Sequence, residues 1–385
     1  MDILFFIYGI ILGIVSGLLP GLHSNTIISI ISALGFSNEQ LALIIIAIIP
    51  AHILVSFIPS IFFGIPDQNT VVSVLPGQRM VLKGKGMLAL KVVLISSLLA
   101  ILISTFLFYF SLNFFQVVFS FIREYVKYIV LVLSIVFIAR SKNILFALII
   151  FLLAGFLGYS SFNLKMSDPF LPLFSGMFAM AAFFNYSNNK LPQQKDVPVT
   201  DFSFIKYSLL GVLLGIFSDL LPGISSASQV AILLTLFVRL ETLEYLAAIS
   251  AITISQAMFT LATSVAIDKS RMGTTEMLAQ VFDIKNNLLL LVVAFLVSAA
   301  IVAVVIYLLR RHVAKLARID FSKFNILLAV YLVAIVFILD GFIGLVILVL
   351  ASLLGYITIK LEVERTNLMG AVIVPTLMLL FRIFI

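Results

Sequence analysis

Long apolar stretches separated by short charged loops run the length of the chain. No Asp, Glu, Lys or Arg occurs in 3–38, 40–66, 92–122, 143–164, 169–189, 220–238, 245–267, 286–309 or 341–359. A membrane-spanning helix needs roughly 17–25 such residues. The runs are rich in Leu, Ile, Val and Phe and do not alternate with polar residues, which predicts helices rather than barrel strands. The expected fold class is an all-α polytopic membrane protein. Segments are predicted near 40–63, 88–120, 127–139, 143–161 and 169–186, and again near 243–267, 286–309, 323–339, 341–359 and 366–382. The longest, 88–120, has length enough to bend or divide, and 127–139 is short for a span. The opening stretch is expected to be a retained helix, because Asp2 stands where a signal peptide carries basic residues and no small-residue cleavage site follows.

The pattern recurs along the chain. YGIILGIVSGLLPGLHS (8–24) and LGVLLGIFSDLLPGISS (210–226) are identical at ten of 17 positions. LIIFLLAGFLGY (148–159) and LVILVLASLLGY (345–356) share seven of 12. The order is kept at offsets of 202 and 197, and Gly9, Gly13, Pro20, Gly21, Gly158 and Tyr159 all recur. Two membrane repeats are predicted, 1–187 and 204–385, joined by a polar linker at 188–203 that includes NKLPQQKDVPVTD. Lys and Arg mark cytoplasmic loops. PGQRMVLKGKGMLALK (76–91) and RRHVAKLARIDFSK (310–323) are therefore placed inside. Counting spans from these anchors gives the two repeats opposite topology. The expected location is the cell membrane, with both termini extracytoplasmic.

Each repeat carries a Pro-Gly break inside a hydrophobic run. Pro20 and Pro222 remove a backbone donor and clash with the preceding turn. Gly21 and Gly223 admit backbone angles that other residues resist. Paired broken or re-entrant hairpins are predicted, and at membrane depth such breaks belong in buried protein or beside a water-filled cavity. The residues that follow, His23, Ser24, Asn25 and Thr26 in one repeat and Ser225, Ser226 and Ser228 in the other, are rich in helix-capping types. A helix N-terminus offers free N–H groups and positive potential. Two such ends, brought together by inverted repeats, make a site for an anion. The GxxxG pairs Gly9/Gly13 and Gly211/Gly215 are expected to serve close helix packing.

Ionisable groups at depth are few. Asp219 takes the place of Gly17 in the repeat, three residues before Pro222, and is the candidate to hold a coupling H⁺ or Na⁺. His23 is a candidate anion contact. His52 is expected to pack against a neighbouring helix, Asp340 to sit exposed in a turn, and Ser255 and Gln256 to be weak candidates for a cavity lining.

Composition sharpens this picture. Of 385 residues 63% are hydrophobic and 11% charged, against about 45–50% and 25% in soluble domains. The net charge of +7 is accounted for by basic loops, so no nucleic-acid partner is expected. There is no Cys, which excludes disulfides and thiolate metal sites. No Walker A, HExxH or GxSxG pattern occurs, and three His leave few ligands for zinc. No enzyme activity, metal or cofactor is expected beyond the coupling ion.

GIVSGLLPGL with its polar cap resembles the signature of the large membrane subunit of tripartite tricarboxylate transporters, the TctA family. PSIFFGIPDQNTVVSVLPGQRMVLKGKGMLAL (59–90) is similar to that family's pattern of an Ile-Pro turn, an alternating segment, a Gly turn and a basic Lys-Gly element. The chain looks most like a short archaeal branch. The resemblance implies secondary transport of carboxylates driven by an ion gradient. It also implies, for bacterial members, a small membrane subunit and an extracytoplasmic binding protein as partners. Carried over by position, the site comprises Pro20, Gly21, Ser24, Asn25 and Thr26, with Pro222, Gly223, Ser225, Ser226 and Ser228. His23 stands where the family often has a small residue, and Asp219 is not carried over. The expected partners are thus a small anionic substrate and the bilayer, with a homodimer left open. The competing expectation is a translocase of polyprenyl-phosphate lipid carriers, since a phosphate suits the same helix ends.

Overall fold

The computed structural model describes residues 2–19, 24–64, 70, 73–184, 192–220, 240–270, 272–316 and 321–383. Among these there are helices and no strands. In chain order they are α1 (Asp2–Leu18), α2 (Ser24–Ser32), α3 (Asn38–Ile58), α4 (Val74–Leu82), α5 (Gly86–Ile122), α6 (Val126–Ala139), α7 (Ile144–Asn163), α8 (Phe170–Phe174) and α9 (Ala181–Phe184). The second part of the chain adds α10 (Ile205–Ser218), α11 (Thr242–Ala266), α12 (Gly273–Val281), α13 (Leu288–Leu316), α14 (Phe321–Lys360) and α15 (Gly370–Leu380). Six helices of the described residues are long and apolar enough to cross a membrane, so the protein is an all-α, multi-pass membrane protein. The segment considered for division is not divided: α5 runs unbroken for 37 residues, with no Pro along it to interrupt the helix.

The chain forms two compact units. One holds the described residues of Met1–Phe121, Lys190–Leu220 and Ser225–Ile319; the other holds those of Ile122–Asn189 and Asp320–Ile385. The units therefore cut across the two sequence halves, and each draws helices from both.

At the centre of the first unit stand α3 and α11, whose apolar cores are 94% and 100% buried. A helix that is apolar on all sides belongs in an interior. Both open with reciprocal caps at positions 204 apart, Ser37 with Gln40 and Glu241 with Glu244. α1 lies along α3 through small residues. A Cβ at Gly9 would come within 2.5 Å of the Ile44 carbonyl oxygen, and one at Gly13 within 2.5 Å of the Ala51 Cβ. α10 lies along α11 in the same way, with Gly211 against the Ala248 carbonyl and Gly215 against Ser255. The outer helices cross over. α13 packs on α3, where Ser298 Oγ donates to the Ala47 carbonyl at 2.8 Å. α5 meets α11, where Phe115 and Phe259 pack edge to face. The short α12 likewise packs on α3, and the short α4 on α11.

The linker crosses the turn before α5. Gly86 N–H donates to Gln194 Oε1 at 2.9 Å, and Lys195 N–H to the Gly84 carbonyl at 2.8 Å. Asp196 gathers three cations: Lys91 of α5 at 2.5 Å, and Arg310 and Arg311 of α13 at 3.1 Å each. Lys91 first, then the two guanidinium groups, hold the Asp196 carboxyl well below the usual carboxylate range.

The second unit is also tied by glycines. Gly158 of α7 rests on the Ala371 carbonyl of α15, and Gly370 on the Phe151 carbonyl of α7. Gly355 of α14 rests on the Met177 carbonyl within a π-helical turn at Ser175–Met180. α14 is broken at Gly341, whose φ of 62° favours glycine. Asp340 beside it is only 8% exposed, contrary to the solvent position expected. Its Oδ1 accepts the N–H groups of Ser167 at 2.7 Å and Asp168 at 3.0 Å. These donors precede a helix and need an acceptor, which draws the carboxylate inward.

Candidate functional site

Pro20, Gly21 and His23 lie outside the described residues, as do Pro222, Gly223, Ser225, Ser226 and Ser228. Ser24, Asn25 and Thr26 form the first turn of α2. Ser24 and Thr26 are 3% and 5% exposed, so this helix end is buried rather than turned to solvent. Asn25 faces α12: a Cβ added to Gly273 would lie 2.7 Å from Asn25 Nδ2. The structure thus brings the α2 N-terminus against the α12 N-terminus, a partner the sequence reading omitted. Thr274 and Thr275, which follow Gly273, are 1% and 0% exposed.

Asp219 ends α10 and is fully buried. Gln256 Nε2 donates to its Oδ1 at 3.3 Å, and Thr263 Oγ1 to its Oδ2 at 3.0 Å, both from α11. Gln256 was a weak candidate from sequence; Thr263 was missed. The available signal was spacing. Thr253, Gln256, Thr260 and Thr263 recur at three and four residues, which sets a polar stripe on one face of an otherwise apolar helix. From Thr263 the polar contacts continue. Thr263 Oγ1 also reaches the Thr260 carbonyl at 3.1 Å, Thr260 Oγ1 lies 3.4 Å from Ser270 Oγ, and Ser270 Oγ donates to the Met272 carbonyl at 3.0 Å. Met272 is the residue that precedes α12. A track of side-chain hydroxyls and backbone carbonyls therefore leads from the buried carboxylate to the α12 end.

The equivalent place in the other sequence half is chemically different. His52 of α3 is 2% exposed, and its Nδ1 lies 2.9 Å from Ser16 Oγ of α1. His52 and Gln256 are 204 residues apart, like the caps of their helices, and Gly17 stands where the other half has Asp219. Among the described residues at this place, one half presents an imidazole beside a glycine and the other a carboxylate beside an amide.

No group of three or more His, Cys, Asp or Glu side chains that could hold a metal occurs among the described residues. A groove of about 580 Å³ in the second unit is lined by Val333, Leu348, Val349 and Leu353 among others. Its apolar walls suit hydrocarbon and offer a carboxylate almost nothing to bind.

The profile of the tripartite tricarboxylate transporter TctA family matches residues 3–204. An uncharacterised protein of Methanocaldococcus jannaschii is 25% identical over 401 residues, covering 99% of this chain and 100% of that protein. No solved structure matches.

Proposed function

We propose that this chain, which belongs to the tripartite tricarboxylate transporter TctA family, is a secondary-active carrier of an organic anion of the carboxylate class. It works by alternating access and is coupled to H⁺ or Na⁺. The observation that carries the reading is the buried, hydroxyl-bearing start of α2 at Ser24, Asn25 and Thr26. A helix start inside a membrane protein is a poor place for a lipid tail and a good one for an anion. The second Pro-Gly-Ser stretch, 222–228, is the proposed counterpart across an inverted repeat. The matched caps of α3 and α11 and the crossed packing of their partner helices support that symmetry.

Asp219 is the proposed coupling group. A fully buried carboxylate in a membrane protein is a functional candidate by default, and neutral donors from α11, an amide and a hydroxyl, are among its partners. The family works in tripartite systems, so a small membrane subunit and an extracytoplasmic binding protein are the proposed partners.

A thermal-shift screen of the purified protein tests this. Succinate, citrate and a polyprenyl phosphate are each added with and without Na⁺ and at two pH values. A ligand that prefers the folded state raises its apparent stability. The expected result is a carboxylate-dependent rise that Ser24→Leu and Ser226→Leu both abolish while the variants remain folded. A rise with polyprenyl phosphate alone, or carboxylate binding untouched in both variants, contradicts the proposal.

A further inference from the structure

We infer that the start of α12, Gly273-Thr274-Thr275, forms part of the anion cradle with the start of α2, supplying hydroxyl donors to a substrate carboxylate. This rests on the transport reading and adds three residues to it. Nine residues long, α12 has no side-chain cap at Met272, whereas α3 and α11 both open with reciprocal caps. Thr275 and Glu276 return their N–H groups to the Met272 carbonyl at 3.0 Å each, but the side chains do not share in this. Thr274 Oγ1 and Thr275 Oγ1 are buried and have no hydrogen-bond partner among the described residues. Three threonines elsewhere in membrane helices of this chain satisfy themselves. Thr253, Thr358 and Thr376 bond the carbonyls of Ile249, Leu354 and Val372 at 2.7–2.9 Å. Buried hydroxyls without a described partner occur elsewhere too, as at Ser96 and Ser97 within α5, but Thr274 and Thr275 stand at an uncapped helix start, and buried polar groups are normally paired.

Electrostatics points the same way. Each helix start carries a partial positive charge. Gly273 brings the start of α12 against Asn25 in the start of α2, so two like ends sit side by side. The one acid of the first turn of α12, Glu276, is exposed. An anion seated at both ends removes the repulsion and gives the threonine hydroxyls an acceptor. The ligand that fits is a carboxylate, which accepts several hydrogen bonds from neutral donors at once. Gly273 is part of the design, since a side chain there would press on Asn25.

The test uses the purified full chain, with succinate and citrate as probes in isothermal titration calorimetry. Thr274→Val, Thr275→Val and the double variant keep the shape and remove the hydroxyls. The expected result is a Kd at least tenfold weaker in the double variant, with a melting temperature without ligand equal to or above that of the natural protein. Unpartnered hydroxyls contribute nothing to the empty fold, whereas structurally bonded ones would lower its stability on removal. A Kd within twofold of the natural protein overturns the inference and leaves the transport reading standing. So does a lowered melting temperature without ligand that accounts for the lost binding. If neither probe binds the natural protein at millimolar concentration, the carboxylate reading falls and this inference falls with it.

Discussion

Asp219 carries the most chemistry of any single residue here. It is fully buried, and its two oxygens are held from α11 by an amide and a hydroxyl. Asp219→Asn keeps the shape and removes the acid. Transport by this variant is expected to lose its dependence on Na⁺ or on pH, whichever the natural protein shows, while a carboxylate still binds. Uptake by reconstituted protein across a set of imposed gradients checks it, and an unchanged ion dependence removes Asp219 from the mechanism. The sequence made Asp219 visible because an acid in an apolar run stands out. It showed Thr263 only as one step of a polar stripe and left Thr274 invisible, for a physical reason. A threonine in a membrane helix can bond its own carbonyl, as Thr253 does, or face a ligand, and both choices look alike in a sequence.

Among the elements, the glycine contacts between α1 and α3 decide how closely these two helices approach. Gly13 leaves no room for a side chain between the two backbones. Gly13→Val is expected to cost about 1–3 kcal/mol and to appear as a lower melting temperature in detergent. An unchanged melting temperature would mean that the helices separate freely. Most element boundaries were legible. The break between 323–339 and 341–359 was marked by Asp340-Gly341, and the positive φ of Gly341 explains it. The buried place of Asp340 was not legible, because the donors that draw it in belong to Ser167 and Asp168, far away in the chain. The partnership of α2 with α12 was likewise hidden. It depends on which short helix leans on which, and hydrophobic pattern says nothing of that.

For the whole molecule, the composition and nine uncharged runs already declared a membrane protein. What pattern could not tell is that the compact units exchange material between the sequence halves. Asp196 holds Lys91 near the start of α5 and Arg310 and Arg311 near the end of α13. The two helices thus reach one point by opposite ends, which is what the proposed inverted repeat would require. The chain has no natural Cys, so a single introduced one reports its side cleanly. With Lys195→Cys, labelling by an impermeant maleimide is expected from the cytoplasmic side alone; with Asp2→Cys, from the outside alone. Both positions labelling from one side would contradict the inverted arrangement.

The most direct measurement is uptake of labelled succinate and citrate into liposomes that contain the purified protein, under an imposed Na⁺ or proton gradient. Concentrative uptake of at least one of them is expected. It should collapse when the driving gradient is dissipated and be absent in Ser24→Leu. No uptake under either gradient, or uptake indifferent to both, would contradict an ion-coupled carboxylate carrier.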